Sequence, residues 1–377
     1  MAETVATFVV DPRLMQYDFG PGHPLGSIRI ALTYEQMRSR GLLDGEGVRV
    51  IAVEQDITDE QLLRVHRSEY VDLVRHGSVT PDFFSLPHGI GTGDVPRFDH
   101  MHEASVRVCS ATMAAALAVA EGESMHALNI AGGLHHAMPD HAAGFCVYND
   151  VAVAIAELLD QGYERIAYVD VDAHHGDGVE RAFWDDARVL TISIHQSGRT
   201  IFPHSGFPEQ TGGDQARGFA VNLGLPPHAS DAQWLRAFEA VVPELLEEFA
   251  PQVLVTQHGC DGHRLDPLTS LELTIDGQRR AYQLLHDYAH RYAGGNWVAV
   301  GGGGYALTEV VPRIWTHLAA IVSHQEQLVD FTDGEEPKWR PFHHGWDPHS
   351  EVDRAIMATR RAVFPLHGLV VDPASGF

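Results

Sequence analysis

The segment 170–174 reads Asp-Val-Asp-Ala-His and follows an apolar run. Side chains of an extended chain alternate between its two faces, so Asp172 and His174 are predicted to point to the same side. A carboxylate and an imidazole side by side make two ligands for a metal such as zinc. Asp261 follows a second apolar run and is predicted to supply the third ligand.

Paired histidines, His135 and His136, follow a third apolar run that ends in two glycines. Adjacent histidines can transfer protons when a carboxylate holds each of them. Asp170 and Asp177 are the predicted carboxylates, because neither is needed to complete the metal site. The sequence thus combines metal ligands with proton-transfer groups, which favours a metallohydrolase.

A glycine run at 301–304, which includes Gly303, precedes Tyr305. Glycines let the backbone approach a ligand closely, and they fix the position of the phenol. A phenol beside a metal is a good donor to a developing oxyanion. Each motif alone has an ordinary structural explanation in a chain with 25 histidines and 36 glycines. Their joint occurrence after separate predicted strands is what indicates catalysis.

Strand-like and helix-like segments alternate along the chain. Strands are predicted at 48–53, 126–131, 166–171, 189–194, 220–225, 253–256 and 297–300. Helices are predicted at 101–121, 148–161, 231–249, 277–292 and 308–324. Apolar strands separated by helices indicate a parallel sheet covered on both faces, with the ligand site beyond the carboxyl ends of the strands. One α/β domain over 1–377 is predicted, with 325–377 as a C-terminal wrap that is irregular over 331–350.

The chain has 377 residues, is 44% hydrophobic and carries a formal charge of −25. That charge argues against direct nucleic-acid binding, because phosphates would be repelled, but it suits a basic peptide or a cationic small molecule. Three cysteines without a CxxC spacing favour a reducing cytoplasm. Residues 1–4 carry no basic stretch, and no run of about 18 apolar residues follows, so no membrane association is expected.

Four motifs together resemble the histone deacetylase family. They are 132–137 (Gly-Gly-Leu-His-His-Ala), 143–150 (Ala-Gly-Phe-Cys-Val-Tyr-Asn-Asp), 170–178 (Asp-Val-Asp-Ala-His-His-Gly-Asp-Gly) and 301–305 (Gly-Gly-Gly-Gly-Tyr). The resemblance extends over about residues 19–324, and within the family it is to the class I-like bacterial branch, the acetoin-utilisation-type deacetylases. It implies the three-layer arginase/deacetylase α/β fold, with a central, mostly parallel sheet of about eight strands.

The resemblance also implies the metals. Zinc would be bound by Asp172, His174 and Asp261, with iron(II) as the alternative. A structural potassium ion would be bound by Asp170, Asp172, His174, Ser193 and Ile194. One metal is expected at the catalytic centre, because the positions that hold a second metal in arginase-type relatives are Gly176 and His263 here.

The remaining roles follow from the same resemblance. Asp170 would stand behind His135 and Asp177 behind His136, with His136 as the expected base and Tyr305 as the oxyanion donor. The tunnel for the acetyl-lysine stem would be formed by Gly144, Phe145, Phe202 and, at its rim, Leu268. Asp94 would grip backbone amides of a peptide, and Arg29 would lie near an internal cavity behind the site.

Three functions are compatible with these residues. The first is a deacetylase acting on acetyl-lysine in proteins, which Asp94 favours. The second is an amidohydrolase acting on acetylpolyamines or other small acylated amines. The third is a catalytically silent acetyl-lysine binder. Oligomeric state is not predicted, and the loop 203–208 departs from the glycine-rich turn of class I enzymes, which leaves specificity open.

Overall fold

Eight short strands pair in parallel to form one central sheet in the described part of the chain. They are β1 (Ala6–Val9), β2 (Val48–Ile51), β3 (His126–Asn129), β4 (Ile166–Asp170), β5 (Val189–Gln196), β6 (Ala220–Leu225), β7 (Val253–Gln257) and β8 (Trp297–Val300). Their order across the sheet is β2-β1-β3-β8-β7-β4-β5-β6. The predicted parallel sheet of about eight strands is confirmed.

The computed structural model describes residues 5–334 and 336–372. Residues 1–4, 335 and 373–377 of the predicted domain lie outside the described residues. Within the described ranges, β1 is the strand that the sequence analysis missed. It is four residues long, Ala-Thr-Phe-Val, and such a short apolar run has too few residues to show a period.

The helices of the described ranges surround this sheet. They are α1 (Ile28–Ser39), α2 (Asp59–Leu62), α3 (Ser68–Val79), α4 (Met101–Ala120), α5 (Asp150–Asp160), α6 (Asp177–Ala182), α7 (Asp231–Phe249), α8 (Ile275–Tyr292), α9 (Val311–Val322) and α10 (Glu351–Val363). All five predicted helices are present, with ends shifted by a few residues. Side-chain caps explain several of the starts. Asn149 and Thr274 each accept a hydrogen bond from the first turn of the following helix, and Gln233 of α7 accepts one from the Ser230 N–H.

The helices form two layers. On one side α3, α4 and α5 pack together, and α4 contacts β1 and β3. On the other side α1, α8 and α9 pack together, and α7 extends this layer through α8 and α10. Because both faces are covered, every residue of β4, β5, β7 and β8 is buried, as expected for a parallel sheet.

Helix α4 is long and apolar enough to cross a membrane by length and composition, but 72% of the relevant window is buried inside the protein. Its contacts with β1 and β3 explain that burial. The apolar character of α4 is therefore that of a core helix.

The C-terminal segment is only partly the irregular wrap that was expected. Residues 331–334 and 336–350 are irregular apart from the short turn Phe342–His344. The chain then continues as α10, which packs on α7 and β6. Arg236 of α7 fixes α10 by binding both oxygens of Asp353 at 2.8 Å. This helix was not predicted, because it follows an irregular stretch and no motif or predicted strand adjoins it.

The strand order decides which of the predicted functional residues lie close together. Strands β3, β8, β7 and β4 are consecutive neighbours in the sheet. Because they are parallel, their carboxyl ends meet at one edge. The segments that follow these four ends carry the histidine pair, the glycine run, Asp261 and Asp172, in that order across the sheet.

Candidate active site

Asp172, His174 and Asp261 meet where β4 and β7 end. His174 Nδ1 lies 2.7 Å from Asp261 Oδ2 and 3.2 Å from Asp172 Oδ1. One ligand atom from each residue lies within 4.8 Å of the other two. The structure therefore brings together the three residues that the sequence predicted as metal ligands.

The charges of this trio fit a cation. The carboxylates of Asp172 and Asp261 are both 0% exposed, and their ligand oxygens lie within 4.8 Å of each other. Two buried negative charges that close need a cation or a proton between them. Burial and the neighbouring Asp172 raise the pKa of Asp261 to about 7. Burial opposes a charge on His174, but Asp261 and Asp172 outweigh it and raise its pKa to about 10. Two carboxylates and one imidazole are a donor set that zinc accepts, with a further position free for substrate or water.

Neighbouring groups hold the two carboxylates in place. Gln257 Nε2 and the backbone N–H of Gly303 each donate to Asp172 Oδ2 at 2.7 Å. The backbone N–H of Ala173 donates to Asp261 Oδ1 at 2.8 Å. A Cβ atom at Gly303 would overlap Asp261 Oδ2 and come to 2.8 Å of Asp172 Oδ2. Only glycine fits there, which explains one member of the glycine run.

The histidine pair lies beside the trio, and each ring is oriented by its own carboxylate. His135 Nδ1 is 2.7 Å from Asp170 Oδ2, and His136 Nδ1 is 2.7 Å from Asp177 Oδ1. The two Nε2 atoms face each other at 3.0 Å. These are the pairings expected from the sequence, and all of these side chains are largely buried.

The two imidazoles differ in charge because their surroundings differ. Burial opposes a charge on His135, but Asp170 and Asp172 outweigh it and raise its pKa to about 9. Burial and the positive charge of His135 lower the pKa of His136 to about 4. At neutral pH the pair therefore contains one imidazolium and one neutral imidazole, which are an acid and a base within hydrogen-bond distance.

Tyr305 enters the site at the end of the glycine run. Its backbone N–H donates to Asp266 Oδ2 at 2.7 Å, and the ring meets Phe145 edge to face at 5.6 Å between centroids. Burial and the charges of Asp261 and Asp172 raise the pKa of Tyr305 well above its usual value. The phenol stays protonated and can donate a hydrogen bond to an oxyanion.

Arg29 supports the glycine run from behind. Its Nη1 donates to the carbonyls of Gly302 and Gly304 at 2.8 and 3.2 Å, and its guanidinium lies 5.0 Å from the centroid of the Trp315 ring. Arg29 also lines a small cavity with Gly303 and Tyr305. Its location agrees with the expected position behind the site.

A cavity of about 410 Å³ leads to the trio. It is lined by the predicted substrate-binding residues Asp94, Gly144, Phe145, Phe202 and Leu268 together with His136, His174 and Tyr305. Phe202 and Leu268 are 39% and 37% exposed, so they form the mouth. Asp94 Oδ2 accepts a hydrogen bond from the Gly144 N–H at 2.8 Å. A second cavity, of about 540 Å³, is lined by Asp177 and by none of the three predicted metal ligands.

Two of the five residues expected to bind potassium, Ser193 and Ile194, lie on β5, the strand next to β4. Ser193 is the register partner of Asp170, and Ile194 follows it on β5. Asp170 is held by Tyr168, whose hydroxyl donates to Oδ2 at 2.6 Å. The potassium ion itself stays a prediction.

Several supporting residues were missed from the sequence. Gln257 and Tyr168 lie within strands and carry no motif of their own. Asp266, which accepts from Tyr305 and from the Leu268 N–H, lies in a loop without a recognisable pattern. Asp150 could have been identified from the sequence, since it is the last residue of the motif 143–150. Its carboxylate accepts from the N–H groups that precede the histidine pair, at 2.8–3.2 Å.

A protein-family model of the histone deacetylase domain matches residues 23–322. The chain belongs to the histone deacetylase family. Among similar proteins, the acetoin utilization protein AcuC of Bacillus subtilis (strain 168) is 38% identical over 315 residues, covering 83% of this chain and 81% of that protein. AcuC of Staphylococcus xylosus is 32% identical over 338 residues, covering 89% and 87%. These matches confirm the resemblance to the acetoin-utilisation-type branch.

A solved structure supports the fold of this histone deacetylase family member. The crystal structure of the HDA15 HD domain matches with a TM-score of 0.81, over 97% of this chain and 96% of that chain. At 23% identity, that match supports the fold alone. The family model and the AcuC relatives support a hydrolase of the deacetylase type.

The crowding around Gly303 generates the first prediction. We expect Gly303→Ala to lower zinc affinity about 10- to 100-fold, because an added methyl group displaces both carboxylate ligands. Equilibrium dialysis of the metal-stripped protein against buffered zinc measures this. Gly334→Ala is the matched control, since its Cβ would meet no atom within 4 Å. Equal zinc affinity in the two variants would contradict the proposed ligand arrangement.

Proposed function

We propose that this protein is a zinc-dependent amidohydrolase that removes acetyl groups from acetyl-lysine side chains of proteins, in the cytoplasm. The observation that carries the proposal is the cavity that runs between Phe145 and Phe202 at its walls and His136, His174 and Tyr305 at its inner end. Aromatic and glycine walls suit the methylene stem of a lysine, which has no polar group to bind there. The inner end holds the groups that an amide hydrolysis needs.

Zinc is proposed as the metal because the donor set fits it. Asp172, His174 and Asp261 would hold the ion. A bound zinc ion would polarise the acetyl carbonyl and lower the pKa of a water molecule to about 7. Iron(II) is the alternative, since the same ligands accept it. Gly176 offers no ligand and His263 Nε2 is bonded to Asp333 at 2.5 Å, which favours one metal at this centre.

The histidine pair carries the proton transfers. His136 is neutral at pH 7 and is the proposed base that accepts a proton from the attacking water. The water oxygen bonds to the carbonyl carbon, and the carbon–nitrogen bond then breaks. The leaving amine takes a proton from the pair, whose Nε2 atoms are 3.0 Å apart, so acetate and a free amine are formed.

Tyr305 is proposed to stabilise the oxygen of the tetrahedral intermediate. Its hydroxyl is protonated at all ordinary pH values, and Asp266 and Arg29 hold the backbone that leads into it. A donor that is already in position needs no reorganisation when the charge develops.

Asp94 favours a peptide over a free polyamine. It lies on the exposed rim of the cavity, and one oxygen already accepts from the Gly144 N–H. A carboxylate at a rim can accept backbone N–H groups of a bound peptide. The alternative substrate, an acetylpolyamine or another small acylated amine, would use the same acidic rim through its ammonium group.

The silent-binder alternative is disfavoured by the completeness of the site. A binder of acetyl-lysine has no use for two histidines that are each oriented by a carboxylate, or for a buried acidic metal-ligand cluster. Both are present, with hydrogen bonds of 2.7 Å.

Tyr305→Phe tests the chemistry. We expect kcat to fall about 10²- to 10³-fold, because one oxyanion donor is lost, while zinc content is unchanged. The assay is steady-state hydrolysis of an acetyl-lysine peptide, with metal content measured on the same preparation. Tyr163→Phe, which removes a hydroxyl that donates to the Ala120 carbonyl outside the site, is the control and should keep full activity. Undiminished kcat in Tyr305→Phe would remove the phenol from the mechanism.

The substrate is tested by comparing kcat/KM for an acetyl-lysine peptide and for an acetylated diamine on the zinc-loaded protein. We expect the peptide to be preferred, because its backbone can reach Asp94 while its side chain fills the tunnel. A preference for the diamine would assign the protein to small acylated amines. No turnover of either substrate, with zinc bound, would support the silent binder.

Asp94→Ala separates the two substrates further. We expect kcat/KM for the peptide to fall about tenfold or more, with a smaller effect on a one-residue acetyl-lysine amide that lacks the flanking backbone. The exposed Asp99→Ala removes the same charge five positions away and is the matched control. Equal losses on both substrates would show that Asp94 does not recognise a peptide backbone.

A further inference from the structure

Four histidines converge at the edge of the sheet opposite to the active site. His126 is the first residue of β3, and His286 and His290 lie one turn apart on α8. His324 lies two residues beyond the end of α9. The catalytic groups follow the carboxyl ends of the strands, whereas His126 marks the amino end of a strand. This second cluster is therefore separate from the trio of the active site.

The ring nitrogens of this cluster have the spacing of metal ligands. His286 Nε2 lies 2.9 Å from His324 Nε2 and 3.1 Å from His290 Nε2. One nitrogen from each of the four residues lies within 4.8 Å of the other three. Zinc–nitrogen bonds of about 2.0–2.1 Å in a tetrahedron place the ligand nitrogens about 3.3–3.4 Å apart. Small side-chain rotations would bring the four rings to that spacing.

His126 supplies an independent indication of a ligand. It is 0% exposed, and its Nδ1 is 2.8 Å from the carbonyl oxygen of Val322. A carbonyl only accepts, so Nδ1 carries the proton and Nε2 carries a lone pair. That Nε2 is buried and has no hydrogen-bond partner among the described residues. A histidine that donates one ring N–H to a backbone carbonyl and presents its other nitrogen as a lone pair has the arrangement of a metal ligand.

Hydrogen bonds between the four rings cannot give every ring nitrogen a partner. His286 Nε2 faces two other Nε2 atoms, and a neutral imidazole has a single N–H to share between them. Neutral imidazole is the form that binds a metal. Asp287 Oδ1 lies 3.7 Å from His286 Nδ1. This carboxylate faces the other nitrogen of the ring, so His286 Nε2 remains available to bind a metal ion.

We propose that His126, His286, His290 and His324 bind one divalent transition-metal ion of the zinc class. Four imidazole ligands would close the coordination shell, which is typical of a structural site. His290 and His324 are exposed, so the ion can reach the site from solvent. The ion would tie β3, α8 and α9 to one another. The proposal does not depend on the deacetylase assignment.

The test counts metal ions on the full chain. After metal is stripped with a chelator, equilibrium dialysis against buffered zinc and elemental analysis should give about two equivalents per chain, one at each cluster. The double variant His286→Gln/His290→Gln should bind about one equivalent. Its matched control is His343→Gln/His344→Gln, which removes two adjacent exposed histidines elsewhere and should keep both equivalents. Equal stoichiometry in the two double variants would overturn the proposal, whatever the active-site trio binds.

A second measurement isolates the new site. In an Asp172→Asn/Asp261→Asn variant the active-site trio is disabled, so the remaining cobalt(II) spectrum should come from the four histidines. We expect visible absorption of tetrahedral intensity whose wavelength or intensity changes when His290→Gln is added, because one of the four imidazole ligands is lost. His290 is exposed, so replacing it alone does not disturb the core. The spectrum therefore tests the site even if the His286→Gln/His290→Gln variant fails to fold. Absence of that spectrum, or an identical spectrum in the His290→Gln variant, would overturn the proposed second site.

Discussion

The structure of the active site depends on one electrostatic constraint, the placement of two carboxylates side by side in the core. Asp172 and Asp261 are 0% exposed, and this arrangement costs free energy unless a cation compensates it. Gln257, the Gly303 N–H and the Ala173 N–H each donate to one of the two carboxylates. The protein thus supplies polar contacts that orient the carboxylates and leaves their negative charge for an ion. The same negative charge keeps the neighbouring phenol protonated and one of the two histidines charged.

Much of this site could be predicted because its residues follow the ends of apolar strands. Asp172 and His174 were recognisable from their alternation alone, and His135 and His136 from their place after a strand. The assignment of Asp170 and Asp177 to separate histidines came from the family resemblance, and the 2.7 Å contacts agree with it. Local pattern was sufficient because a parallel sheet gathers its strand ends at one edge.

Other features could not be predicted, since they depend on contacts between distant segments. Asp266 reaches Tyr305 across 39 positions, and no local pattern marks that contact. His126 and His324 are about 200 positions apart in the sequence, so their convergence is visible only after folding. The i, i+4 spacing of His286 and His290 was a usable signal, because such residues share one face of a helix. Without the partners on β3 and after α9, however, the pair would have been taken for solvent-exposed polar residues.

The walls of the cavity also bear on how a reaction cycle would end. An acetylated amine is neutral, whereas a free lysine amine with a pKa of about 10.4 is cationic at neutral pH. Phe145 and Phe202 offer that ammonium group no hydrogen-bond acceptor. Deacetylation would therefore replace a neutral amide, which suits the apolar tunnel, with an ammonium group whose desolvation there costs free energy. The chemical step itself would then promote release of the lysine product.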